Sequence, residues 1–419
     1  MEHLKEVWKA MWFHAKLFLR WIITGLAIGC VVGLFGTFFA WAMRVVMELR
    51  AAYPQLLFGL PVAGIIIAWL YGKSDQANNL NTNLVFYSIR STEEVPFRMA
   101  PLIFVGTLLT HLCGGSSGRE GAALQMGGSV AQEIGRLLKV DERTIRIFTM
   151  CGMSACFAAL FGTPVAATVF SLEVVSVGIM HYSALIPCAM AALTADVIAR
   201  NLGVEHMQFF LMELGNHFSM VTGMKVCLLA VGCAIVSMCF CILLHFTGKC
   251  YERLFKNQMV RAFVGGLLVV LLAVLLHTSD YLSVGETVLR SAVYGNARPE
   301  AFLLKMIFTA LTLEAGFKGG EIVPTLFIGS TFGCVAGKAL GLSGSFGGAL
   351  GMTALFCGVT NCPVTSILLG MELFGGKGIE WFLIVAAISY MLSGYYSLYS
   401  KQKIVYSKET PKYIDTTCH

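Results

Sequence analysis

Two stretches of this chain, about 200 residues apart, carry one pattern, and each sets a glutamate in glycine-rich apolar sequence. The first runs Gly118-Arg119-Glu120-Gly121-Ala122-Ala123-Leu124-Gln125-Met126-Gly127-Gly128, and Pro164 and Glu173 follow it nine positions apart. The second runs Gly319-Gly320-Glu321-Ile322-Val323-Pro324, with Gly329 eight residues after its glutamate as Gly128 is after Glu120, and Pro363 and Glu372 repeat the nine-residue spacing. Self-similarity at a fixed offset signals a duplicated structural unit. Interrupted apolar helices that carry ionisable groups at corresponding places in two repeats point to a transport site at the repeat interface. The pattern describes a pathway and offers no catalytic dyad.

The solvent around most of this chain is lipid. Only 13% of residues are charged, 57% are hydrophobic and the mean hydropathy is +0.74, which excludes a soluble globular domain with a solvated surface. Apolar stretches fall at 17–43, 56–72, 99–113, 145–160, 164–180, 184–199, 224–246, 262–277, 302–313 and 379–399. Several are shorter than the ~20 residues a straight span needs. Such segments predict helices that are tilted or stop partway, with their free backbone groups enclosed by protein. The reading is an all-α polytopic membrane protein, one transmembrane domain over 1–419, with repeat 1 at about 17–200, repeat 2 at about 224–399 and a short tail at 400–419. An odd number of crossings in the first half would make the repeats antiparallel.

The basic start (Lys5, Lys9, Lys16, Arg20) reads as an amphipathic, surface-lying lead-in to a retained first helix, because a signal peptide has a shorter apolar core and a cleavage site. With the basic tail (Lys401, Lys403, Lys408, Lys412) it places both termini in the cytoplasm. The 14 cysteines lack CxxC spacing and the nine histidines form no ligand cluster, so the chain is read as having no metal site, no disulfide framework and no cofactor. The net charge of +6 lies at membrane flanks and requires no nucleic acid.

A carboxylate at bilayer depth costs about 2.5–3.5 kcal/mol on insertion scales, so Glu120 needs a partner, water or a proton. The stretch after it reads as a helix, which puts Glu120 at a helix N-terminus, where free amides and the dipole attract an anion. The carboxylate is either a structural partner of Arg119 or an occupant of that anion site that leaves when protonated. Likewise the glycines before Glu321 permit an unusual turn, Pro324 suits a first helical turn, and the amides of Ile322 and Val323 are placed to face a bound anion. An ordinary buried helix start is the plain alternative.

On these residues the chain resembles the CLC family of chloride channels and transporters. GSSGREGAALQMGG is similar to the family's GREGP element, GFKGGEIVPTLFIG to its GxFxP element, and TPVAATVFSLE is also alike. The resemblance covers nearly the whole chain. It implies two inverted-topology repeats, helix ends from both halves around the anions, and a homodimer with one pore per subunit. It also implies a gating and proton-carrying role for Glu120, and anion contacts from Gly118, Arg119, Gly121, Gly320, Ile322, Val323 and, by its place in SGYYSLY, Tyr399. Three departures separate the chain from chloride-moving members. There is no GSGIP-like serine loop where the sequence reads QANNLNTNLVFY, Gly-Glu-Ile-Val-Pro replaces Gly-x-Phe-x-Pro, and the position of the inner proton-transfer glutamate falls on Val174. These resemble the fluoride-exporting branch, CLC-F, although Val323 lacks the hydroxyl that branch often has there. A small hydrated anion needs close donors, so the carboxamides of Asn79, Asn81 or Asn83 are candidates, Asn81 first, unless they cap a helix instead.

The expected function is fluoride/proton antiport exporting fluoride across the cell membrane, with Glu120 and Glu321 in gating and proton transfer. A chloride channel or chloride/proton exchanger of the same family is the alternative. A membrane-embedded enzyme is disfavoured by the lack of a reactive dyad.

Overall fold

The computed structural model describes residues 1–73, 83–90, 95–209, 211 and 219–418. The first repeat contains α1 (Glu2–Ala52), α2 (Leu60–Lys73), α3 (Asn83–Arg90), α4 (Met99–Leu112), α5 (Glu120–Leu137), α6 (Glu142–Phe161), α7 (Pro164–Glu173) and α8 (Leu185–Asn201). The second contains α9 (Met220–Leu254), α10 (Gln258–Leu275), α11 (Glu286–Val293), α12 (Ala301–Leu313), α13 (Ile322–Ala339), α14 (Gly344–Thr360), α15 (Pro363–Phe374) and α16 (Ile379–Leu392). Each helix of the first set has its counterpart in the second. α1, α6 and α8 pack together as α9, α14 and α16 do, and α4 packs on α5 as α12 packs on α13. Between the halves, α2 meets α10, α5 meets α13 and α7 meets α15, so the main helix–helix contacts across the repeats join an element to its own counterpart. That is the rule of a two-fold interface.

Seven helical segments among the described residues are long and apolar enough to cross a bilayer, and α4, α7, α12, α14, α15 and α16 are apolar but shorter. The structure is therefore an integral membrane protein with broken and tilted helices, as the short apolar runs require. α1 departs from the expected two-part start. Its 51 residues form one continuous helix, about 77 Å long against a hydrocarbon core of ~30 Å. No glycine or proline occurs between Glu2 and Gly25 to break it, so the basic lead-in extends the span and is not a separate segment.

The turns into α7 and α15 show how local chemistry repeats. α6 ends at Gly162 (φ 69°) and α14 at Asn361 (φ 59°), both left-handed, and in each case a proline two residues later opens the next helix. Close helix packing repeats too. Gly127 of α5 faces Gly152 of α6, and Gly333 of α13 faces Gly347 of α14, each near enough that an added Cβ would overlap the partner's carbonyl. Gly152→Val is expected to cost about 3 kcal/mol or more, because backbone cannot step aside as a side-chain tip can. Thermal unfolding in detergent reads this, with Gly72→Ala, which meets nothing within 4 Å, as the unaffected control.

The tail is more than a free end. Lys403–Tyr406 (β2) pairs in parallel with Ser176–Val177 (β1) and antiparallel with Tyr413–Thr417 (β3). Gln402, fully buried, donates to the carbonyls of Val174 and Thr360 and accepts from Ser397 Oγ and Asn361 Nδ2. The segment carrying Tyr399 is thereby fixed to both repeats.

Candidate functional site

Two loops meet at the centre of the molecule. In the first repeat α4 ends in HLCGGSSG, where Gly114 (φ 79°) turns the chain. The Ser116 amide donates to Thr312 Oγ1 (3.1 Å) and Ser116 Oγ lies 3.1 Å from Thr309 Oγ1, so the loop is held by α12 of the other repeat. The reciprocal loop before α13 is held by α4, through the Lys318 amide on Thr110 Oγ1 (3.2 Å). His111 Nε2 stands 3.3 Å from both Ser117 Oγ and the Gly118 carbonyl. The two loops then join directly: Gly118 N–H donates to Gly320 O and Gly320 N–H to Gly118 O, each at 2.7 Å, as an antiparallel bridge. At Gly320 glycine is required, because a Cβ there would stand 2.4 Å from the Gly121 amide nitrogen, and a Cβ on Gly118 would press on Gly320 O at 3.1 Å.

This bridge brings the N-termini of α5 and α13 to one point, with Glu120 as the first residue of α5 and Glu321 as the N-cap of α13. Amides at both helix starts face the same region, an anion-favouring arrangement supplied twice. Glu120 is 1% exposed. Its Oε2 accepts from the Arg119 amide (3.0 Å), while Oε1 has no hydrogen-bond partner among the described residues and lies 3.5 Å from Arg119 Nε. The pairing to Arg119 weighed from sequence is thus present, but it leaves one oxygen of a buried carboxylate unsatisfied. Ile322 and Val323 are fully buried, as is Gly320.

Tyr399 reaches the same region. It is 1% exposed, its ring meets Phe86 of α3 edge-on at 4.7 Å, and its hydroxyl has no hydrogen-bond partner among the described residues. The Glu321 carboxylate is within electrostatic range of that hydroxyl. The structure therefore gathers Gly118, Arg119, Glu120, Gly121, Gly320, Glu321, Ile322, Val323 and Tyr399. Asn79 and Asn81 lie outside the described residues. Asn83 opens α3. Sequence reading passed over His111, Ser116, Ser117, Thr110, Thr309 and Thr312, whose small polar side chains carry no motif of their own. The run of serines beside two glycines was their only signal.

The other repeated glutamates have a different place. Glu173, at the end of α7, accepts from the amides of Val364 (3.1 Å) and Thr365 (2.8 Å) and from Thr365 Oγ1 (2.6 Å) at the start of α15. Glu372 of α15 accepts in return from the amides of Val165 (3.0 Å) and Ala166 (2.7 Å) at the start of α7. Each repeat caps its twin's helix, and the two helices run antiparallel, which fixes the repeats as inverted. Val174 is fully buried and carries no titratable group.

Comparison with known proteins agrees with this architecture. A chloride/fluoride channel protein of Pseudomonas syringae pv. tomato is 32% identical over 396 residues, covering 93% of this chain and 87% of its own. The crystal structure of a CLC-type fluoride/proton antiporter superposes with a TM-score of 0.89 at 33% identity, covering 92% of this chain and 98% of that one. A slow cyanobacterial Cl−/H+ antiporter shares the fold, with a TM-score of 0.77 at 17% identity over 89% of this chain and 94% of that one. The family model for voltage gated chloride channels matches residues 63–394. The chain, with its paired glycine–glutamate loops at an inverted-repeat interface, belongs to the voltage-gated chloride channel family, the CLC proteins.

Proposed function

We propose that this protein is a fluoride/proton antiporter that exports fluoride across the cell membrane, working as a homodimer with both termini in the cytoplasm. The observation that carries the reading is the pair of glutamates at two helix N-termini joined by the Gly118–Gly320 bridge. Its likeness to the Pseudomonas syringae chloride/fluoride channel protein and to the fluoride/proton antiporter of solved structure supports the choice of fluoride.

The chemistry follows from the geometry. Glu120, charged, sits where the helix ends favour an anion, and its poorly satisfied Oε1 gives it reason to leave when a proton arrives. An anion then takes the vacated place against the amides of both helix starts, and deprotonation of Glu120 returns the gate and expels the anion. Carboxylate and anion exclude each other, so anion and proton movements are linked in opposite directions. Glu321 sets a second carboxylate against the anion from the other repeat, and Tyr399 offers an unused hydroxyl donor. Backbone amides and one hydroxyl are compact donors, able to replace the shell of a small, strongly hydrated anion. The likeness to a fluoride/proton antiporter of solved structure supports reading the protein as a transporter and not an enzyme.

Reconstituted into vesicles, the protein is expected to move fluoride at least ten times faster than chloride, and an inward proton gradient is expected to drive fluoride outward against its own gradient. Equal rates for the two anions would make it a chloride exchanger, and fluoride flux indifferent to the proton gradient would make it a channel.

A further inference from the structure

We propose that protons pass from the gate to the cytoplasmic face through Glu314, which receives them from Glu120 by way of Glu321, in place of a carboxylate at position 174. The proposal rests on the proton-coupled reading above.

Glu314 ends α12 and begins the loop that leads to the Gly118–Gly320 bridge. Its side chain lies against α9: a methyl built on Gly248 would stand 2.5 Å from Glu314 Oε2. The charged groups facing it come from every element around it, namely Glu252 of α9, Arg261 of α10, and Lys318 and Glu321 of its own loop. Beside them Tyr251 of α9 holds the Leu311 carbonyl at 3.3 Å.

The membrane face is set by charge. The α9–α10 connection and the helix ends that flank it carry Lys249, Arg253, Lys256 and Arg261, which assigns them to the cytoplasm with the basic N-terminus. Glu252 in that region is exposed, Glu314 and Glu321 are half-buried, and Glu120 is almost fully buried. Four carboxylates therefore descend in exposure from the cytoplasmic connection to the gate. The series ends at two buried groups with unused hydrogen-bonding capacity, Glu120 Oε1 and the Tyr399 hydroxyl. Along the way Arg261 Nε, buried and without a hydrogen-bond partner among the described residues, sits within range of Glu314. At position 174 the first repeat offers only a buried valine, whose carbonyl is occupied by Gln402.

The transfers balance. Glu120, protonated from the outer side, gives its proton to a Glu321 oxygen and is left ionised. The O–H bond so formed on Glu321 breaks as a Glu314 oxygen takes the proton, and Glu314 then releases it to water at the cytoplasmic face and returns to the charged form.

The test is proton pumping driven by a fluoride gradient in vesicles holding wild-type protein, Glu314→Gln, Glu314→Asp or Gly248→Ala, with fluoride flux measured in parallel. Glu314→Gln is expected to lower pumping at least ten-fold with folded dimer recovered, and Glu314→Asp to keep a third or more of it. Gly248→Ala, which displaces the carboxylate without touching its loop, is expected to lower pumping several-fold and serves if the glutamine variant does not fold. Pumping within two-fold of wild type in Glu314→Gln, or in Gly248→Ala where only that variant folds, overturns the relay while leaving the antiporter reading intact. Wild-type fluoride flux with no proton movement overturns both.

Discussion

Glu120→Gln is expected to abolish proton transport while leaving the protein folded and the anion path open. Glutamine keeps the length and shape of the side chain but neither gains nor loses a proton near neutral pH, so the gate no longer carries charge through its cycle. A positioned proton carrier is worth about 10²-fold or more in rate, and fluoride-driven proton pumping should fall by at least that factor. Stability should change little. The buried carboxylate has one backbone hydrogen bond and an Arg119 contact at 3.5 Å, a weak return for its desolvation. Proton pumping at the wild-type level in the glutamine variant would remove Glu120 from the gate, and a lowered unfolding temperature would show that the carboxylate holds the fold.

The second large effect concerns folding. Glu173→Ala removes the acceptor for two amides and a hydroxyl at the start of α15, inside the membrane where water does not replace it. Loss of a helix cap and unsatisfied buried donors together predict a cost of about 2–4 kcal/mol. Glu372→Ala, with two amides and a more exposed carboxylate, should cost about 1–2 kcal/mol. The helices are in contact, so the double variant should depart from the sum. Unfolding in detergent measures all three, and a Glu173→Ala protein as stable as wild type would show that the helix start is satisfied another way.

Much of this was legible because the chain says it twice. The two glycine–glutamate loops and the paired Pro…Glu spacings were visible as repeats, and the apolar runs too short to span announced broken helices. What the spacing did not reveal was partnership. That Glu173 caps α15 and Glu372 caps α7 depends on the relative orientation of the halves, which a linear pattern does not encode. Glu314 escaped for the opposite reason: seven residues before Glu120 the first repeat has Cys113, so no repetition marked the carboxylate. The tail read as a simple end because its strands are short and pair with two residues far upstream.

The exchange of caps bears on where such a chain came from. α7 alone lacks an acceptor for the amides at its start, and so does α15, yet each ends in the acceptor the other needs. Two identical half-length chains, associated about a two-fold axis, would already satisfy both helix starts, since in such an interface residue i meets j and j meets i. The contact requires two copies and no fusion. A dimer of half-size proteins is thus a complete ancestor for this arrangement, and joining its genes end to end would have fixed the stoichiometry while freeing the halves to diverge, which is the freedom that let one of them acquire a carboxylate at position 314 and the other a cysteine at 113.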